Sequence, residues 1–262
     1  MDFSNNAVQN RKNTLYVVLS CLFITNAIIA EFGGVKIFSA EQMLGLKPAH
    51  LHLFGSVLDF NMSVGVLIWP FVFILSDIMN EFFGKSGVRR ISYITAIMIA
   101  YGFMVILAWT KMPAAEFWLQ LNGQDSQGRP FDVNFAYSTI FRQGLGIIIG
   151  SLTAFLVSQF VDVYSFHYFR KITGHRYLWL RATGSTVISQ LIDSFLILII
   201  AFYFFGNWSI GQVLKVGLVQ YCYKVLLAIG LTPLVYLAHF IIDRYLGKEV
   251  SVQMVEETNE NW

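Results

Sequence analysis

The sequence predicts an all-α integral membrane protein, a bundle of six transmembrane helices with both termini in the cytoplasm. Three observations point there. Of the 262 residues, 56% are hydrophobic and only 13% are charged, about half the charge of a soluble domain. The apolar residues are gathered into stretches close to the ~20 residues that a spanning helix needs. The lysines and arginines fall in alternate connections, the bias expected when cytoplasmic loops carry the excess.

Taken in order, residues 1–13 form a polar cytoplasmic tail, in which Arg11 and Lys12 precede the apolar run from Leu15 to Ala30. That run has the outline of a signal peptide. No small-x-small site closes it, because Ile28 and Ile29 separate Ala27 from Ala30, so 14–30 reads as a retained first span. Residues 31–61 are half apolar, include Pro48, His50 and His52, and are expected to hold a short interfacial helix. Spans two and three occupy 62–83 and 91–110. The connection 111–134, with Gly123, Gly128 and Pro130, reads as an exposed loop. Spans four, five and six cover 144–169, 184–206 and 213–241, which makes 14–245 one membrane domain and 246–262 a polar tail expected to fray. Helix is the state for every span, since a lipid-exposed backbone must bond within its own segment and no alternating pattern suggests a barrel.

Within the spans, Gly144, Gly146 and Gly150 suit close helix approach, and Pro70 and Pro233 suit kinks. Cys21 and Cys222 lie in apolar stretches and read as small buried hydrophobes, too far apart in sequence for a CxxC motif. Arg11, Lys12, Lys85, Arg89, Arg90, Arg170, Lys171, Arg176, Arg181, Arg244 and Lys248 flank one set of span ends, and only Lys36, Lys47, Lys111 and Arg129 flank the other. Six spans with both termini inside put the richer set in the cytoplasm.

Several function classes fall away. The net charge of +2 is scattered, not gathered into a basic tract, which disfavours nucleic acid. The sequence contains no GxxxxGK[ST] loop for ATP, no HExxH pair, no GxSxG elbow and no Cys/His cluster, so neither a metal nor another cofactor is implied. A membrane hydrolase built on Asp77 with Asp162 or Asp193 is the disfavoured enzyme reading.

What remains is a set of polar residues at bilayer depth, where each acid or base costs about 2.5–3.5 kcal/mol on insertion scales and therefore faces a partner or a wet cavity. Asp77, Asn80 and Glu81 stand at i, i+3 and i+4 on one face of the second span. The fourth and fifth spans repeat a motif, Ser158-Gln159-Phe-Val-Asp162 and Ser189-Gln190-Leu-Ile-Asp193, and antiparallel copies can meet about a pseudo-axis. Arg142, Arg181 and Lys224 are the available charge partners. Structural pairing accounts for any one of these residues, but not for amide and carboxylate recurring together on three helices. The set suits a flat heterocycle with adjacent N–H donors, which a carboxylate accepts in pairs while an amide both donates and accepts. Trp69, two turns before Asp77, offers a stacking platform, although most of the other aromatics read as core or interface belt.

The run Trp69-Pro-Phe-Val-Phe-Ile-Leu-Ser-Asp77-Ile-Met-Asn80-Glu81-Phe-Phe-Gly84, followed by Arg89-Arg90, resembles the second-span signature of the queuosine precursor transporter family, also called the vitamin uptake transporter family. The likeness begins near Asn26, which is counted with the site. It continues through Ser151, Ala154, Gln159-Phe-Val-Asp162, Phe166, Trp179-Leu-Arg181, Ser185-Thr186, Gln190-Leu-Ile-Asp193-Ser194, Ala201-Phe202, Tyr221-Cys-Tyr-Lys224 and Thr232-Pro233-Leu-Val-Tyr236. It implies a six-helix carrier in the bacterial inner membrane that imports cyano or aminomethyl forms of 7-deazaguanine. Asp77, Asn80, Glu81, Gln159, Asp162, Gln190, Asp193, Trp69 and Asn26 would bind the base, and Arg142, Arg181 and Lys224 would hold the acids. The alternative is a substrate-binding subunit of an ATP-driven vitamin importer. A homodimer is compatible with either. The family commonly has an arginine where this chain has Gly146, with Arg142 one turn earlier.

Overall fold

The structure is a computed structural model, described here for residues 2–53, 56–141, 144–173 and 177–260. Its long helices are α1 (Asp2–Gly33), α3 (Trp69–Trp109), α6 (Leu145–Thr173), α7 (Leu178–Leu198) and α8 (Ile210–Leu246), with the short helices α2 (Ala40–Met43), α4 (Glu116–Leu121), α5 (Val133–Phe141) and α9 (Lys248–Glu260) between and after them. Polarity is inverted relative to a water-soluble protein. Ser76, Asn80, Gln159, Asp162, Ser185, Ser189 and Ser194 are completely buried, while Leu22, Ile97, Met104, Leu226 and Phe240 lie open on the outside, the arrangement expected where lipid is the solvent. Cys21 and Cys222 are on the outside as well, which corrects their reading as buried residues; in lipid a small apolar thiol needs no cover.

Among the described residues five helices are long and apolar enough to cross a membrane: Asn6–Gly33, Val64–Trp109, Val133–Thr173, Leu178–Phe204 and Ile210–Leu246. The second of these joins two of the expected spans. It is broken at Gly84, whose φ of 65° and ψ of −176° leave the helical region for one that is essentially confined to glycine. Contacts with α1 show that the chain reverses there. Gly65 packs on Ala30 and Phe83 stacks edge-on against Tyr16 at 5.0 Å; then the Tyr16 hydroxyl donates to the Gly87 carbonyl at 3.2 Å and Phe103 meets Phe32 at 4.8 Å. The limb before Gly84 therefore runs antiparallel to α1, and the limb after it runs parallel. Leu15, Leu19, Phe23 and Ala27 of α1 fill the seam together with Val72, Met79, Phe82, Ile99 and Phe103.

Residues 31–61 contain a short helix, as expected, but also strands that were not expected. Two antiparallel ladders form, β1 (Ile37–Ser39) with β4 (Asn61–Ser63) and β2 (Leu51–Leu53) with β3 (Ser56–Leu58), and α2 is a single turn. Gly45, at φ 71°, ends that turn. Glu41 organises the excursion by accepting from the Phe60 N–H (2.9 Å), the Ser39 hydroxyl (2.9 Å) and the Ala49 N–H (3.2 Å). The connection 111–134 is exposed as expected, with α4 and an Asp125–Arg129 ion pair (2.7 Å) inside it.

α6 and α7 form an antiparallel pair, and α7 continues as a π-helix over Ile199–Phe204. The small residues of α6 make this contact, because a Cβ on Gly146 would collide with Phe205 and one on Gly150 would lie 3.2 Å from Ala201 Cβ. An arginine at Gly146 has no room in this chain. The C-terminal tail, expected to fray, is instead the helix α9, with Ser251 and Met254 buried. Its Val255 carbonyl accepts from Arg170 at 2.7 Å, and its Thr258 hydroxyl donates to the Glu81 carbonyl at 3.0 Å.

Candidate functional site

The polar face of α3 is aimed inward, between α6 and α7. Ser76 donates to Gln159 Oε1 on α6 at 3.0 Å, Ser185 of α7 donates to Asp77 Oδ1 at 3.5 Å, and Arg181 of α7 reaches Glu81 Oε1 at 2.5 Å. Arg170 of α6 stands 3.8 Å from the other Glu81 oxygen. Glu81 is thus neutralised by two guanidinium groups at the end of the bundle that α9 covers. Such a pair offsets the desolvation of its members only while both remain.

The repeated Ser-Gln-x-x-Asp motif forms a reciprocal pair. Ser158 donates to Asp193 Oδ1 at 3.4 Å and Ser189 donates to Asp162 Oδ1 at 3.1 Å, so each copy's serine serves the other copy's carboxylate. The surroundings then diverge. Lys224 of α8 bonds Asp193 Oδ2 at 2.5 Å, whereas Asp162 Oδ2 is buried without a hydrogen-bond partner.

Between α3, α7 and α8 lies a partly open cavity. Trp69, Phe73, Asp77, Thr183, Thr186, Gln190, Lys224 and Thr232 supply much of its wall, and Ile74, Leu231 and Val235 supply apolar surface. An apolar wall with few polar groups is the usual build of a small-molecule site. The Trp69 ring is held by Phe155 at 5.5 Å and Phe73 at 6.4 Å. Gln190 Nε2 is buried without a partner, a donor group left for an occupant. Asp77 supplies acceptors, and Thr183 and Thr232 bond each other at 2.9 Å on the far wall.

Of the residues singled out from the sequence, Trp69, Asp77, Gln190 and Lys224 line this cavity. Asn80, Gln159 and Asp162 are buried polar residues outside its wall, Glu81 and Arg181 lock one end, and Asp193 is held by Lys224. Asn26 is not brought to the site: its amide donates to the Leu22 carbonyl of its own helix at 2.8 Å. Arg142 lies outside the described residues. Sequence reasoning gave no site role to Thr183, nor to Ser185, Thr186 and Thr232, which it named only within the family likeness, because hydroxyls in a span are cheap to bury and so carry little signal. It also passed over Glu31, a buried acid on α1 hydrogen-bonded by Ser151 of α6, although a carboxylate closing the first span was legible as such.

The profile of the family described as "Putative vitamin uptake transporter" matches residues 63–238, the stretch that holds all the cavity residues. A "Probable queuosine precursor transporter" of Bacillus subtilis (strain 168) is 28% identical over 181 residues, covering 69% of this chain and 72% of its own. The "Queuosine precursor transporter" of Escherichia coli (strain K12) is 28% identical over 183 residues, covering 66% and 71%. A "Probable queuosine precursor transporter" of Haemophilus influenzae is 25% identical over 180 residues, covering 65% of each. No solved structure matches.

Proposed function

The chain belongs to the vitamin uptake transporter family, and from that premise we propose that it carries queuosine precursors into the bacterial cytoplasm as a multi-pass protein of the inner membrane. The family match and the names of the relatives support the class of solute; the single observation that carries the site is a cavity walled by Trp69, Asp77 and Gln190 together. A 7-deazaguanine base is flat, carries adjacent N–H donors on one edge and has a ring carbonyl beside them. Asp77 accepts the paired N–H groups, the unpartnered Gln190 amide donates to the carbonyl, and Trp69 stacks on the ring. Lys224 holds Asp193 in place, Arg181 holds Glu81, and Gln159 and Asn80 back the recognition face. A single chain supplies every one of these residues, so a second copy is not required. The reading as a binding subunit of an ATP-driven importer is not favoured, because the relatives are themselves named transporters.

Six crossings follow from counting α3 as two limbs, which returns both termini to one side. Three contacts support that return: Lys12 to Glu257 at 3.8 Å, Arg11 to the Tyr245 carbonyl at 3.5 Å, and Arg170 to the Val255 carbonyl at 2.7 Å. Lys85, Arg170, Arg181 and Arg244 lie at that same end, which the positive-inside rule assigns to the cytoplasm.

The test is uptake of labelled 7-deazaguanine precursor by cells that can neither make it nor import it. Expression of this chain restores accumulation and the modified tRNA base. Cells expressing it that accumulate no more label than the empty vector contradict the proposal.

A further inference from the structure

We propose that Asp162, together with Asp77, Asn80, Ser185 and Ser189, forms a binding site for one monovalent cation, a sodium ion or a proton, whose movement drives the solute. The inference rests on the transport reading above and extends it to the energy source, which neither the family match nor the relatives' names describe.

The reciprocal motif carries the argument. Asp193 and Asp162 are equivalent in the repeat, each bonded by the other copy's serine, yet among the described residues only Asp193 has a base, with Lys224 at 2.5 Å. Asp162 is fully buried and its Oδ2 has no hydrogen-bond partner among the described residues; Asp77, buried too, is within electrostatic reach of it, the two being bonded by Ser189 and Ser185, one turn apart on α7. Two adjacent carboxylates in a dry interior cannot both stay charged without a cation. The basic groups nearby are engaged elsewhere. Arg181 and Arg170 face Glu81, and Lys224 faces Asp193. On α6 and α8, His167 and His239 pack against Phe166 and Phe82 towards the Glu81 end, and on α1 Glu31 is bonded by Ser151.

Asn80 is the independent observation. It is completely buried, and neither its oxygen nor its nitrogen has a partner. The first limb of α3 runs parallel to α6 and the two meet at Ser76 and Gln159; one turn further along each brings Asn80 level with Asp162. An amide oxygen, two carboxylates and the hydroxyls of Ser185 and Ser189 make an all-oxygen set of the kind hard cations take. Asp77 borders both this set and the cavity, so occupancy by a cation changes the charge that the base meets. Binding of the two is thereby linked, and linkage is reciprocal.

Two measurements on the full-length protein test this. In detergent without solute, thermal midpoints are compared in sodium chloride and choline chloride at equal ionic strength, across a pH series, for the wild type, Asp162→Asn and Ser189→Ala. The wild type responds to sodium, or in choline to protons; Asp162→Asn loses that response and Ser189→Ala weakens it. In proteoliposomes, a sodium gradient and a pH gradient are imposed separately, and the wild type concentrates the precursor under one of them, which identifies the cation. Asp162→Asn equilibrates the precursor without concentrating it, and the about tenfold gain in precursor affinity given by the cation is lost. An Asp162→Asn protein whose midpoint responds to sodium and pH as the wild type does overturns the site, whatever the transport assay gives. A wild type that equilibrates precursor but never concentrates it under either gradient overturns the coupling and leaves the transport reading standing.

Discussion

At the scale of single residues, the site depends on carboxylates that differ in how they are neutralised. Glu81 and Arg181 are both buried and bonded at 2.5 Å. Removing one member of such a pair leaves an uncompensated charge and costs about 3–5 kcal/mol. Arg181→Ala leaves Glu81 with Arg170 alone, at 3.8 Å, and is therefore expected to lower the thermal midpoint sharply; an Arg181→Ala protein as stable as the wild type would contradict the pairing. Asp77 and Gln190 instead line the cavity, and in the proposed site they meet the solute, so Gln190→Ala should leave folding intact. The carboxylate–amide pairs were legible from residue type and spacing alone, because helical periodicity places i, i+3 and i+4 on one face. What spacing could not tell is which pair faces the cavity. Gln159 and Gln190 occupy equivalent places in the repeat, yet Gln159 is engaged by Ser76 and only Gln190 is left open to the cavity. That difference arises from α3, which engages Gln159 through Ser76, and from α8, which with α3 and α7 walls the cavity at Gln190; both are remote in sequence from the repeat.

At the scale of elements, two backbone features position the site. Gly84 reverses α3 in a conformation that side chains do not adopt, and a Cβ there would also press on Thr258 at 3.0 Å. Gly84→Ala is expected to cost about 1–3 kcal/mol and to loosen α9, which is measurable as faster proteolysis after residue 246; unchanged protection would contradict the role given to the turn. The sequence placed a boundary near this position from polarity but could not show a connection so tight that one glycine makes it. The short helix expected within 31–61 is α2, but the two strand pairs around it were not legible, because their organiser, Glu41, acts through backbone N–H groups far along the chain. The Phe60 N–H, the Ser39 hydroxyl and the Ala49 N–H hold its carboxyl below the usual carboxylate range. A depressed folded value stabilises above the unfolded carboxylate value and is lost as pH falls through the folded one. Protection factors of the Phe60 and Ala49 amides, taken against the intrinsic exchange rate at each pH, should therefore be high at neutral pH and fall on acidification, and Glu41→Gln should remove that pH dependence. Protection that ignores both pH and substitution would count against it.

At the scale of the molecule, an apolar exterior and a polar interior make the lipid bilayer part of the fold, and this much was visible in composition. Six hydrophobic stretches were legible in the sequence; among the described residues five long apolar helices are found, and the break at Gly84 lies inside the one that joins two of those stretches. A reporter fused after α9 and one inserted in the 111–134 connection should report opposite sides of the membrane; the same side for both would contradict the topology. The cavity itself was not legible, since Thr183, Thr232, Lys224 and Trp69 converge only when α3, α7 and α8 pack together. The central claim is that this cavity is the solute site. Equilibrium binding to purified protein tests it most directly, comparing the cyano and aminomethyl 7-deazaguanines with guanine for the wild type, Asp77→Asn and Gln190→Ala. The account predicts saturable binding of a precursor that weakens about tenfold or more in each variant, the effect of losing a hydrogen bond to a charged or buried group. Precursor affinity equal in the wild type and both variants would contradict it.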